Sequence, residues 1–243
     1  ELRGKEVLEE EDAGLMARAK ALYAAAMVST DTAVGQLAEY LARAGELENT
    51  VFVVTADHGE EFGEHGWFGH SATLYQEVLH VPLVIWGPGV KRLSSDGLVS
   101  GVDVAPGVLA LAGIETPEGA DGDALWLAGA GGSAREAVSS TVYPPLPRKL
   151  ESVTTSLVAA DGRKVIWKRP LGEGEAEERL SMYDLEQDPG ETTDVAAGRE
   201  AEASRMAKRI EWYASNAARR GMSGEIEIDS EMEKQLRSLG YFN

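Results

Sequence analysis

Apolar residues recur at helical spacing between residues 12 and 44, and this pattern predicts one long amphipathic helix. Gly45 follows directly and is suited to end such a helix. We expect the helix to cover one face of a sheet. The polar run at residues 29–32, Ser-Thr-Asp-Thr, predicts a kink or a break within it.

Short apolar runs replace the helical pattern after residue 50. The segment TVFVVTA at 50–56 is rich in β-branched residues and predicts a strand buried on both faces, as in a parallel sheet. HVPLVIWGPG predicts a second buried strand at 81–86 that ends in a Gly-Pro-Gly turn. A short helix is predicted to begin at Asp103, with Pro106 in its first turn and Gly113 at its end. A helix that leads into a buried strand is typical of α/β proteins.

The pattern changes again beyond a Gly- and Ala-rich linker predicted at 127–134. The segments REAVSSTVYP, SVTTSLVAAD, RKVIWKRP and LSMYDLE predict short strands joined by turns, and helical spacing returns at 197–217. The terminal segment 229–243 predicts one more short helix. The sequence therefore predicts two domains, an α/β domain at 1–134 and a small antiparallel sheet with helices at 135–243.

Composition narrows the classes of function. The 243 residues are 43% hydrophobic, which allows a sizeable core, and the net charge of −18 argues against general binding of nucleic acid. No apolar run reaches the roughly 18–20 residues of a membrane span. Because the chain has no Cys, disulfides and thiolate metal sites are excluded within it. It begins at Glu1 rather than Met, so we expect a trimmed or partial polypeptide.

All four histidines, His58, His65, His70 and His80, fall in and just after the segment TADHGEEFGEHGWFGHSATLYQE. Asp57 and His58 directly follow the first predicted strand, where ligands bind in open α/β sheets. A carboxylate beside an imidazole suits a divalent metal ion, although an Asp-His-Gly tripeptide alone is often a turn. His70 precedes a predicted helix start, where it would meet an anion or act as an ordinary cap.

These residues carry a resemblance to a known family. VFVVTADHGEEFGEHGWFGHSATLYQEVLHVPLVIWGPG resembles the C-terminal signature of sulfatases in the alkaline-phosphatase superfamily. VSGVDVAPGVLALAGIETPEGADGDAL, MYDLEQDPGETTDVA and LRSLGYFN resemble later elements of the same family, in the same order. The resemblance implies an alkaline-phosphatase-like α/β sandwich, with a mainly parallel sheet flanked by helices, followed by a small antiparallel sheet and a helix.

The resemblance also implies roles for particular residues. Asp57 and His58 match the paired metal ligands of the family, and His70 matches a Lys or His that contacts sulfuryl or phosphoryl oxygens. His65 is a further candidate site residue, with packing of the loop as its alternative. His80, at the head of a strand, is expected to be structural.

The acidic residues of the loop, Glu60, Glu61 and Glu64, are expected to be solvated. For Glu60 the alternative is a hydrogen bond behind the metal site.

One divalent metal ion is implied as the cofactor, most commonly Ca²⁺ in the family, with Mg²⁺ as an alternative. An imidazole at His58 shifts the preference toward Mn²⁺ or Zn²⁺. The nucleophile of the family is a formylglycine made from Cys or Ser, and this chain contains neither Cys-x-Pro-x-Arg nor Ser-x-Pro-x-Arg. We therefore expect the nucleophile on a missing N-terminal half. Alone, the chain is expected to be inactive and to bind metal poorly.

Three functions remain open at this point. The first is a sulfatase that cleaves sulfate esters of a small molecule or glycan. The second is a phosphodiesterase, phosphonate-ester hydrolase or phosphotransferase of the superfamily, because these enzymes also carry His at the positions of His58 and His70. The third is a non-catalytic scaffold that retains the fold. A bacterial origin and a periplasmic or extracellular location are tendencies of the family.

Overall fold

The computed structural model describes residues 12–70, 72–91, 97–124, 127, 136–143, 152–171 and 177–219. The chain forms two compact units, Glu1–Ala137 and Val138–Asn243. Most of the predicted linker at 127–134 and all of the predicted helix at 229–243 lie outside the described residues. No helix in the described ranges combines the length and the apolar character that crossing a bilayer requires.

The predicted long helix, α1, runs without interruption over Ala13–Ala44. The expected break at residues 29–32 is absent, and the hydroxyls of Thr30 and Thr32 donate to carbonyl oxygens one turn earlier, at 3.1 and 2.9 Å. These polar groups are therefore satisfied within the helix. Gly45 ends it as predicted, in a left-handed conformation at φ 75°.

The apolar side of α1 is open to solvent. All 32 residues of the helix are described, and none of them is buried. Its exposed large apolar residues are Leu15, Leu22, Tyr23, Met27, Val28, Leu37 and Tyr40. The helix contacts Glu61–Phe62, but since none of its residues is buried, the expected covering of a sheet face is not found among the described residues.

The two predicted apolar strands are present as β1, Phe52–Thr55, and β4, Leu83–Trp86. They pair with each other in antiparallel fashion, from Phe52 opposite Trp86 to Thr55 opposite Leu83. The rings of Phe52 and Trp86 stack with centroids 4.2 Å apart. Among the residues of the two strands only Phe52 is buried, so the predicted burial on both faces and the parallel partner are not found here.

Between these strands the chain forms β2, Glu61–Phe62, β3, Phe68–Gly69, and the single helical turn α2, Gln76–Leu79. Beyond β4, a 3-10 turn at Gly101–Asp103 leads into α3, Val104–Leu111. Asp103 is buried and accepts hydrogen bonds from the amides of Ser100 and Asp123, at 2.9 and 3.0 Å. The prediction of a helix that begins near Asp103 is confirmed, with Pro106 in its first turn.

The described residues of the second unit form a four-stranded sheet with one helix. Its strands are β5, Glu136–Tyr143, β6, Ser152–Ala159, β7, Arg163–Pro170, and β8, Arg179–Asp184, in that spatial order. The β6–β7 and β7–β8 pairs are antiparallel, and α4, Glu200–Arg219, packs against β6, β7 and β8. The core contains Leu157, Val165, Met182, Ala203 and Ile210. The predicted small antiparallel sheet with a helix is confirmed.

A buried ion pair lies in this second unit. The Nζ atom of Lys164 is 2.7 Å from Oε1 of Glu191, and both side chains are fully buried. Glu191 has a φ of 50°, a conformation that costs a non-glycine residue on the order of 1 kcal/mol. In this backbone conformation the carboxylate of Glu191 lies beside the ammonium group of Lys164.

Candidate functional site

Asp57 and His58 begin the loop that leaves β1, at the position predicted from the sequence. The loop passes directly beneath α2. The amide of Gly59 donates to the carbonyl of Val78 at 2.8 Å, and a Cβ at Gly59 would lie 1.9 Å from the carbonyl oxygen of Glu77. Glycine is therefore required for this close approach of two backbones.

His58 and His70 are brought together by the loop. Their rings stack with centroids 3.9 Å apart and an interplanar angle of 24°. Nδ1 of His58 is 2.9 Å from the carbonyl oxygen of Gly59, and Nδ1 of His70 is 3.1 Å from Oε2 of Glu60. Because both partners are oxygen acceptors, we assign the proton of each neutral ring to Nδ1, which leaves the lone pair on Nε2.

These side chains fit a divalent cation. His58, Glu60 and His70 each offer a ligand atom, and the three atoms lie within 4.8 Å of one another. Oδ2 of Asp57 is 3.7 Å from Nε2 of His58. Two donors on one divalent ion are separated by roughly 3–4 Å, given the usual bond lengths. Mixed imidazole and carboxylate donors suit Zn²⁺ or Mn²⁺, and the carboxylates also suit Ca²⁺ or Mg²⁺.

His65 has partners of its own on α2 and the residue before it. Its ring stacks on that of Tyr75, with centroids 3.5 Å apart, and its Nδ1 lies 2.9 Å from Oε1 of Glu77. Both side chains are largely buried, at 12% and 18% exposure. His65 is not a member of the three-residue ligand group, and His80 caps the end of α2. An imidazole held by a carboxylate is suited to proton transfer as well as to packing.

The expectation that the loop carboxylates are solvated is wrong for Glu60 and Glu61. Glu60 contacts His70, and Glu61 is fully buried. Glu64 is partly exposed and accepts hydrogen bonds from Nζ of Lys20 on α1, at 2.9 Å, and from a loop amide. The loop folds back on itself. Its carboxylates accept hydrogen bonds from loop donors that would otherwise be shielded from water without a partner.

The pKa of Glu64 predicts how the attachment of the loop to α1 depends on pH. Burial acts to raise this pKa, but the hydrogen bonds from Lys20 and from the amide of Phe62 outweigh it and hold the pKa below the ordinary 4.5. A lowered pKa in the folded state stabilises the fold fully above about pH 4.5, and this contribution is lost as the pH falls through the folded value. Since Glu64 is about a third exposed, the contribution is below about 1 kcal/mol.

We therefore expect Glu64→Gln to remove part of the acid sensitivity of the first unit. Unfolding would be followed by circular dichroism between pH 3 and 6. Glu39→Gln is the control, because Glu39 forms an exposed ion pair with Arg43 on the same helix as Lys20. A Glu64→Gln chain with the acid sensitivity of the unaltered chain would contradict the assignment.

Comparisons with known proteins decide the family. Residues 63–214 match the family model described as N-sulphoglucosamine sulphohydrolase, C-terminal, and residues 3–114 match the model described as Sulfatase. The chain belongs to the sulfatase family. The resemblance seen in the sequence is thereby confirmed, and with it the alkaline-phosphatase superfamily that the family name implies.

Two curated sulfatases are similar in sequence to this sulfatase chain. Arylsulfatase K from Bos taurus is 31% identical over 180 residues, which cover 73% of this chain and 33% of the relative. An N-acetylglucosamine-6-O-sulfatase from Bacteroides thetaiotaomicron is 40% identical over 105 residues, or 42% of this chain and 19% of the relative. The sulfatase chain thus spans about a third or less of the length of these relatives.

One solved structure combines a similar fold with related sequence. It is BT4656 in complex with its substrate D-glucosamine-2-N,6-O-disulfate, with a TM-score of 0.62 and 27% identity. The match covers 78% of this chain and 40% of that one. The predicted fold class, an α/β fold of the alkaline-phosphatase type with a small antiparallel sheet, is confirmed.

Sequence reasoning missed three contacts and one buried carboxylate of the sulfatase loop. It did not pair Glu77 or Tyr75 with His65. It also missed the burial of Glu61 and its hydrogen bond with Thr73, at 2.6 Å. The signal was weak, since a run of glutamates in a glycine-rich loop is commonly a solvated surface.

Proposed function

We propose that this chain supplies one side of the active site of a metal-dependent sulfate-ester hydrolase. In this proposal Asp57 and His58 hold a divalent ion, and His70 contacts oxygens of the sulfuryl group. The observation that carries the proposal is the stack of His58 and His70, with both Nδ1 atoms held by oxygen acceptors. Membership of the sulfatase family supports the reaction class.

The chemistry follows from the donor set. A bound divalent ion would neutralise charge on the sulfuryl oxygens during transfer. The hydrogen bond from His70 to Glu60 restricts rotation of the imidazole ring. The direction of Nε2 is therefore set by the loop. When protonated, Nε2 is a donor to an anionic oxygen, and a fixed donor costs no reorganisation at the moment of reaction.

Completion of the site requires residues outside this sequence. We place the formylglycine nucleophile and the remaining metal ligands on an N-terminal half of the same enzyme. The absence of Cys-x-Pro-x-Arg and Ser-x-Pro-x-Arg from the sequence supports this placement. The exposed apolar residues of α1 also support it, because a surface of this kind is suited to being covered by another part of the protein.

The proposed substrate is a sulfated amino sugar or a glycan that contains one. Support comes from the two relatives named for such substrates, the N-acetylglucosamine-6-O-sulfatase and the complex with D-glucosamine-2-N,6-O-disulfate. Hydrolysis of a phosphate or phosphonate ester is the second candidate, and the paired imidazoles of His58 and His70 favour it over a non-catalytic role. A purely structural role would not require His58, His70 and Glu60 to be oriented toward one another in this way.

The test compares substrates in the full-length enzyme that contains this chain. We expect glucosamine 6-O-sulfate and an aryl sulfate to be hydrolysed in the presence of a divalent ion, and an aryl phosphodiester much more slowly. This chain alone is expected to show no turnover. Faster hydrolysis of the phosphodiester would establish the second candidate, and no turnover of any ester would support the scaffold. Turnover by the chain alone would contradict the placement of the nucleophile.

A further inference from the structure

Glu61 has an environment unlike that of the other loop carboxylates. Its side chain is fully buried, in β2, and both of its carboxylate oxygens accept hydrogen bonds. Oε1 accepts from the amides of His65 and Trp67, at 3.1 and 3.2 Å, and Oε2 accepts from the hydroxyl of Thr73 at 2.6 Å. The three donors belong to the same loop and carry no charge.

The three donors lie on both sides of His70. The amides of His65 and Trp67 precede β3, which leads into His70, and Thr73 follows it before α2 begins. β2 and β3 are joined by two residue pairs and by the edge contact of Phe62 and Phe68, and the amides of Gly63 and Gly66 donate to carbonyls of the same loop at 2.8 and 3.1 Å. Ordering so short a loop is entropically costly, so a buried acceptor with three donors is a major restraint on it.

Glu60 directly precedes β2 and Glu61 is its first residue, and the two carboxylates have different partners. Glu60 contacts the ring of His70, whereas Glu61 binds the backbone and the hydroxyl on either side of it. The amide of His65 is bound by the same carboxylate. The positions of His65 and His70 therefore both depend on Glu61. The hydrogen bonds described for Glu61 involve neither imidazole ring.

We propose that Glu61 is a positioning residue, which sets the loop so that His70 stacks on His58 and His65 reaches Glu77. The effect on catalysis rests on the function proposed above, but the effect on geometry does not. Loss of the carboxylate would free the loop at three points at once. A displacement of about 1 Å in a catalytic site lowers the rate roughly 100-fold.

Three variants separate the contacts. Glu61→Ala removes all three hydrogen bonds, and Thr73→Val removes only the bond to Oε2. Glu61→Gln is nearly isosteric: its carbonyl oxygen still accepts from the two amides, and its NH₂ group donates to the hydroxyl of Thr73, which rotates to accept. Glu39→Gln, on the exposed side of α1, is the matched control.

Nuclear magnetic resonance of this chain tests the geometry, since four histidines are few enough to assign. The unaltered chain is expected to give ring-to-ring Overhauser effects for His58 with His70 and for His65 with Tyr75, because these centroids are 3.9 and 3.5 Å apart. In Glu61→Ala both are expected to disappear while the amide spectrum of the second unit is unchanged. Glu61→Gln and Glu39→Gln are expected to retain them.

Retention of both effects in Glu61→Ala would overturn the proposal. If that variant unfolds the first unit, Thr73→Val decides: a weakened His58–His70 effect supports the proposal and an unchanged one overturns it. In the full-length enzyme, Glu61→Ala is expected to lower kcat about 100-fold with a smaller change in KM, and Glu61→Gln to restore most of kcat. If the unaltered enzyme hydrolyses no sulfate ester, the proposed function fails, and the ring contacts still decide the role of Glu61.

Discussion

Replacement of Asp57 or His58 by Ala is expected to lower turnover of the full-length enzyme by at least about 100-fold. The two side chains follow β1 directly, and Oδ2 of Asp57 lies 3.7 Å from Nε2 of His58. Loss of a group that merely supports a metal ligand already costs roughly 10–100-fold, so the loss of a ligand is expected to cost more. Metal content, measured by mass spectrometry of the purified variants, is expected to fall together with kcat/KM.

His80→Gln provides the matched control for these variants. His80 caps the C-terminal end of α2 and is not part of the group of ligand atoms formed by His58, Glu60 and His70. Its replacement is expected to leave turnover and metal content close to those of the unaltered enzyme. Near-normal activity and metal content in either Asp57→Ala or His58→Ala would contradict the assignment of the metal site.

Breaking the buried pair of Lys164 and Glu191 is expected to lower the free energy of unfolding of the second unit by about 3–5 kcal/mol. Either Lys164→Met or Glu191→Gln leaves a fully buried partner without its counter-charge. That penalty reflects desolvation of the remaining group more than the strength of the pair itself. The double variant Lys164→Met/Glu191→Met is therefore expected to be more stable than either single variant.

Urea unfolding followed by circular dichroism would measure this effect. Lys168→Met is the control, because Lys168 lies on the same strand but is exposed, and its replacement is expected to cost less than about 0.5 kcal/mol. A loss below about 1 kcal/mol in both single variants would show that the pair is not buried as a charged unit.

The second unit was the more predictable part of the fold. Its four strands and α4 appear within a few residues of the predicted positions, since β-branched runs bounded by turn residues and helical spacing are local signals. In the first unit, the end of α1 at Gly45 was also predictable from a local signal, since glycine readily adopts the left-handed conformation that ends a helix. The break expected at residues 29–32 was wrong, because hydroxyls of Thr30 and Thr32 bond within the helix.

Partner choice was less predictable, for a physical reason. An apolar β-branched run fits a parallel or an antiparallel partner equally well, and the antiparallel pairing of β1 with β4 depends on how the intervening loop returns.

The same reasoning applies to the loop. The resemblance implied that His58 and His70 serve the same active site, but the stacking of their rings was not predicted. The burial of Glu61 and the contact of His65 with Glu77 depend on how the chain folds back on itself in three dimensions. No local sequence pattern encodes this.

The close passage of Gly59 beneath α2 has a consequence for protein engineering. Because the backbones touch at Gly59 and Glu77, the loop cannot be moved without the helical turn above it. A graft of residues 57–70 into another scaffold would leave behind the helix that shapes the loop. Any transplanted segment therefore has to include residues 57–79, so that the paired histidines keep the helical turn against which their loop packs.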